Sequence, residues 1–220
     1  MKIKNLFLAL IVAFTVSMPP SAANAGITGS AHDFSSEGWT GGEICIACHT
    51  PHNSIVQGPP GSSAPGVPLL WNHRLTKPPQ FYQMYTSYTF DGSPEGAYQG
   101  PTKLCLSCHD GVMAIDSLGD GFGNSGTNFI TGPAKLGTDL SNDHPVNFVY
   151  DTTLANSDGN LYDPVTQASG MGGTIKDDML HNRGRLECNT CHDPHDKNSI
   201  GKMLIKSNVN SELCLTCHIK

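Results

Sequence analysis

The sequence has 220 residues, a formal net charge of −6, 24 glycines, 15 prolines and only 38% hydrophobic residues. That balance excludes long helices and a large sheet, and the acidic charge argues against a nucleic-acid partner. Apolar material is too scarce to fill one or two ordinary domains, a deficit that small exported chains meet with covalent staples or metals, for which eight cysteines are available.

In chain order, Lys2 and Lys4 precede an apolar run from Leu6 to Val16, and Ala23-Asn24-Ala25 stands before Gly26. This is the pattern of a secretory signal peptide over 1–25. The run is too short to cross a bilayer, and no later segment approaches roughly 20 apolar residues, so an exported chain with no transmembrane segment is expected. Cleavage removes Lys2 and Lys4 and takes the formal charge from −6 to −8.

The cysteines then fall into four pairs, each Cys-x-x-Cys followed at once by histidine: Cys45, Cys48, His49; Cys105, Cys108, His109; Cys188, Cys191, His192; Cys214, Cys217, His218. Cys-x-x-Cys-His is the attachment signature of c-type haem. Two thiols on one short turn reach two vinyl groups, and the adjacent imidazole lies beneath the iron as its proximal ligand. Zinc thiolate sites or four disulfides would use the same cysteines, but neither requires a histidine after every pair. A thioredoxin-like motif needs a βαβ context and normally occurs once. Four covalently bound haem c groups are therefore expected.

The first and third motifs read CHTPH and CHDPH, while the second and fourth read LCLSCH and LCLTCH. This order points to a duplicated dihaem unit: residues 26–135 form a first module with an insertion, and 136–220 a second. In the first and third motifs the second histidine stands three positions after the first, a reach of roughly 10 Å at most, with Pro51 and Pro194 favouring a turn. His52 and His195 are thus expected to ligate the iron of a neighbouring haem, which forces haems together. Ordinary sixth-ligand candidates are completed by His144 in the connection between the halves and His32 near the mature N-terminus, the latter serving its own chain or a neighbouring molecule. His73 and His181 stand in reserve. With this surplus, every iron can be held by two histidines, giving saturated, low-potential centres suited to electron transfer and not to substrate binding. Met84, Met113, Met171, Met179 and Met203 are the alternative, higher-potential ligands.

The intervening sequence is less specific. Residues 58–68 (GPPGSSAPGVP) read as an exposed loop. Phe81 to Phe90 has the aromatic and β-branched content of a short strand or haem-covering flap. Residues 116–126 superficially resemble a calcium loop but lack its ligand spacing, and are expected to be glycine-rich turns. No phosphate loop, nucleophile–base constellation or flavin motif is present. The expected fold is irregular, mostly coil, with short helices at the attachment sites, few small strands and a core built around four haems.

The segments Ser-Ala-His-Asp-Phe, Glu-Ile-Cys-Ile-Ala-Cys-His-Thr-Pro-His, Pro-Leu-Leu-Trp-Asn-His, Asp-His-Pro-Val and Leu-Glu-Cys-Asn-Thr-Cys-His-Asp-Pro-His together resemble the exported multihaem cytochromes with doubled CXXCH motifs. Four motifs in a chain of this size are similar to the tetrahaem cytochromes that polymerise into extracellular nanowires. That resemblance implies bis-histidine haems in a continuous stack, with one iron completed by an adjacent subunit, a role His32 matches best. The expected function is electron transfer without catalysis, by an extracellular or cell-surface polymer passing electrons among redox proteins or to extracellular acceptors. The alternatives are a monomeric periplasmic shuttle or redox-complex subunit, and a multihaem reductase with an open iron.

Overall fold

A computed structural model describes residues 26–52, 54, 70–76, 82–95, 100–119, 121, 123–180 and 184–220. The signal peptide, the loop 58–68, Phe81 and His181 lie outside the described residues. Most of what is described is coil and turn. The regular elements are α1 (Gly100–His109), β1 (Phe148–Val149), α2 (Thr152–Asp158), α3 (Ile175–Asp178), β2 (Arg185–Leu186) and α4 (Cys214–Cys217), with short 3-10 turns between them. Among the described residues no helix is long and apolar enough to cross a membrane.

The helices are short because the sequence punctuates them. Helix α2 starts where the Asp151 carboxylate accepts from the Leu154 N–H and stops at Gly159, whose φ of 71° is the left-handed conformation that closes a helix. Helix α3 is capped by the Thr174 hydroxyl accepting from the Asp177 N–H. Helix α1 begins at Gly100-Pro101, proline being tolerated in a first turn because the missing N–H has no intrahelical partner.

The strands β1 and β2 pair antiparallel, Phe148 opposite Leu186 and Val149 opposite Arg185. They cover the larger apolar cluster, in which Phe148, Tyr150, Ala155, Ile175, Met179, Leu180, Leu186 and Leu213 surround Cys217. Among the described residues a second, smaller buried cluster joins Leu106 of the first module to Leu140, with Tyr82 and Met84 packed against it, and Leu75, Met113 and Ala114 are buried outside it.

Backbone bridges join the first half. His49 pairs with Trp71 and His73 with Leu118, so the 70–76 segment of the insertion ties the first attachment turn to the loop following the second. The segment ending at Phe90 makes one bridge, Gln83 to Asp139, and no strand. Tyr82 and Phe90 turn inward, the Tyr82 hydroxyl donating to Asp110 Oδ2 at 2.6 Å and Phe90 meeting Phe148 edge-on at 5.2 Å, while Tyr88 is fully exposed. In the 116–128 loop the Asp116 carboxylate accepts from the Thr127 and Asn128 N–H groups and from Asn128 Nδ2, closing the turn with the chain's own donors.

The halves meet where α1 packs on the 3-10 turn Cys188–Thr190. Buried Glu187 makes this junction. Its Oε2 accepts from the Thr102 N–H at 2.9 Å, supplying the first turn of α1 with an anion at the positive end of its dipole. It also forms a capping box with Thr190 at the start of the third motif, where the Glu187 N–H donates to Thr190 Oγ1. Glu187→Ala strips both helical starts of a buried acceptor and is expected to destabilise the protein by about 1–3 kcal/mol; thermal unfolding of the haem-loaded variant measures it, with Glu187→Gln retaining part of the loss.

Candidate haem-attachment sites

All four Cys-x-x-Cys-His segments adopt the same one-turn closure. The histidine N–H donates to the carbonyl of the first cysteine at 2.8 Å for His49, 3.1 Å for His192 and 3.0 Å for His218; His109 closes the last turn of α1. This helical turn brings the two thiols and the imidazole of each motif together. All eight cysteines are free thiols, and among the described residues no group of three or more His, Cys, Asp or Glu side chains converges to hold a metal ion.

Cys45 and Cys214 are exposed, and the other six thiols are partly or wholly buried. Burial pushes Cys48 and Cys191 up to about 11, and Cys108 and Cys217 up to about 12. The next cause is in each case a neighbouring thiol: for Cys48 its own partner Cys45, for Cys108 Cys48 of the first motif, for Cys191 Cys214 of the fourth, and for Cys217 Cys191 of the third. Cys105 is also held protonated, by its hydrogen bond with Cys188 and by burial. The second and third motifs meet through the hydrogen bond between Cys105 and Cys188, while the thiols of the first and second motifs, and of the third and fourth, lie near enough to raise one another's pKa.

The imidazoles carry a second regularity. Nδ1 of His109 lies 2.7 Å from the Ala134 carbonyl, Nδ1 of His192 2.9 Å from that of Lys202, Nδ1 of His144 2.9 Å from that of Pro145, and Nδ1 of His32 3.4 Å from that of Pro194. A ring donating Nδ1–H to a carbonyl has its lone pair on Nε2, the arrangement that orients metal-ligating histidines. His195 Nδ1 stands 3.7 Å from the Asp193 carboxylate.

Three histidines outside the attachment motifs face three inside them. His195 stacks on His49 with centroids 6.2 Å apart and planes at 11°; His32 faces His109 at 6.0 Å and 53°; His144 faces His218 at 6.2 Å and 79°. His52 sits exposed on the turn after the first motif, its carbonyl accepting from Thr50 Oγ1, and no ring of a described residue stands opposite it.

His73 is placed differently. It is 1% exposed, with Nδ1 2.8 Å from the Arg74 carbonyl and Nε2 2.9 Å from that of Ala114. Burial lowers its pKa, and both nitrogens face backbone oxygens. Met113 and Met179 are likewise enclosed at 1% exposure, Met179 within the larger apolar cluster.

The residues fit covalently attached haem. Beyond the motifs, the indole N–H groups of Trp39 and Trp71 are buried without a hydrogen-bond partner, and Trp71 stands edge-on to His49 at 6.3 Å. A buried unpaired donor is costly, and one beside the first motif suits the polar rim of a porphyrin. Neither tryptophan was singled out from sequence, where an isolated indole carries no spacing signal.

Residues 181–220, which hold the third and fourth motifs, match the family model described as the doubled CXXCH motif. No curated protein matches the chain. The doubled motif is that of c-type haem attachment and indicates covalently bound c-type haem in this chain. Replacing His73 with alanine is expected to leave the haem spectrum unchanged while lowering stability by about 1–3 kcal/mol, since a buried carbonyl loses its donor; visible spectroscopy and thermal unfolding of the same sample separate the two effects.

Proposed function

We propose that this chain is an electron carrier, not an enzyme, bearing four haem c groups whose irons are each held by two histidines. The observation that carries this reading is that three histidines outside the attachment motifs face three inside them, His195 on His49, His32 on His109 and His144 on His218, so that the four turns are gathered around shared sites, with Cys105 and Cys188 joining the second motif to the third. Bound haem supplies a one-electron couple. The chain's residues do the rest: paired cysteines anchor each group, Nδ1–carbonyl contacts orient the imidazoles, and the surrounding apolar side chains exclude water. Two imidazoles per iron favour low potentials and leave no position for substrate.

The site of action on this reading is outside the cytoplasm, at the cell surface or beyond it, where four haems per chain allow electrons to pass between redox proteins or to an extracellular acceptor. The signal-peptide pattern supports export. The likeness to tetrahaem nanowire cytochromes supports assembly of many chains into a conducting filament. A second reading, a single-chain periplasmic shuttle, is favoured by one observation: His32 faces His109 of its own chain.

The exported protein is expected to exceed the mass of its chain by four haem groups under denaturing conditions, and the Cys45→Ala/Cys48→Ala variant by three. Its oxidised spectrum should be wholly low-spin and indifferent to added cyanide or carbon monoxide after reduction. A high-spin fraction that binds either ligand would replace the carrier with a reductase. Electron microscopy of material from the cell exterior then distinguishes filaments from single particles.

A further inference from the structure

The three facing pairs have a common dimension. A metal–imidazole bond is about 2.0–2.1 Å long, so two rings gripping one iron from opposite sides have centroids roughly 6 Å apart. The observed separations are 6.2, 6.0 and 6.2 Å. Aromatic pairs in general lie about 4.5–7 Å apart, so it is the pairing of each outside histidine with a motif histidine that singles these out, and plane angles of 11°, 53° and 79° all fit rotation about a shared ligand axis.

Resting on the haem reading above, we infer that His195 is the second iron ligand of the group attached at Cys45 and Cys48, His32 that of the group at Cys105 and Cys108 in the same chain, and His144 that of the group at Cys214 and Cys217. The third-motif turn thereby serves two irons, its own through His192 and that of the first motif through His195. His32 closes its iron in cis, not in a neighbouring subunit.

The cis assignment has support independent of the ring distance. The segment carrying His32 is docked along that same third-motif turn. Gly26 lies so close to Asp196 that a Cβ there would fall 2.1 Å from its carbonyl oxygen, Ile27 is buried, and His32 Nδ1 meets the Pro194 carbonyl. An arm reaching into another molecule would leave these contacts. His144 Nδ1 meets the Pro145 carbonyl, and the ring it faces, His218, is fixed by its bridge with Leu161.

The test uses the full haem-loaded protein in its oxidised state. His195→Ala, His32→Ala and His144→Ala are each expected to turn one haem in four high-spin without loss of haem mass. In the Cys45→Ala/Cys48→Ala background, which lacks the first group, adding His195→Ala should create no high-spin haem; a new high-spin signal there overturns the assignment. Because an alanine variant can fold poorly, His195→Met and His32→Met provide a second reading: each is expected to keep all haems six-coordinate while raising the potential of one. Unchanged potentials overturn that histidine's role. Dilution to a monodisperse single chain, checked by sedimentation, should leave the wild type fully low-spin; high-spin haem emerging on dilution shows His32 acting in trans and overturns the cis assignment. A wild type without covalent haem would overturn the function itself, whereas full haem loading with the wrong haem responding overturns only the pairing.

Discussion

The constraint on which the rest depends is the single helical turn that closes each Cys-x-x-Cys-His segment. One backbone hydrogen bond, from the histidine N–H to the first cysteine carbonyl, gathers two thiols and an imidazole. Four copies of that turn leave little freedom elsewhere. The connecting chain must bring the turns together and supply each with carbonyls, caps and apolar cover, so it needs neither long helices nor a broad sheet.

The means by which the turns are assembled differ between the halves. The second half has a modest apolar core, with Cys217 of the fourth motif embedded among Tyr150, Met179 and Leu213. The first half substitutes polar and backbone contacts: the bridges of His49 and His73, the buried Asp110 carboxylate accepting from Thr76 and Tyr82, and the Asp116 loop closure. Glu187 joins the halves because one carboxylate satisfies N–H groups at two helical starts, and a turn positioned that way at the second motif is also positioned at the third.

Histidines of one residue type therefore occupy two physically distinct settings. His109, His144, His192 and His32 present Nδ1 to a carbonyl, which leaves the other nitrogen for a metal. His73 presents both nitrogens to carbonyls inside the protein. Sequence context ranked His73 only as a reserve and had no means of seeing the reason, since Ala114 lies 41 positions away. Likewise the repeat singled out His52 and His195 equally, yet only His195 faces an attachment-motif histidine among the described residues.

What the sequence determined by itself is local: the four attachment turns, their cofactor chemistry, the doubled CXXCH spacing and the coil-rich character that follows from abundant glycine, proline and scarce apolar residues. These are legible because covalent attachment needs two thiols and an imidazole at adjacent positions, a requirement met within five residues of chain. Tertiary structure alone decided which histidine faces which motif, that the second and third motifs meet at Cys105 and Cys188, and that Glu187 and Trp71 belong to their surroundings. Those relations join residues up to 162 positions apart, such as His32 and Pro194, and no periodicity or spacing encodes a contact between two loops.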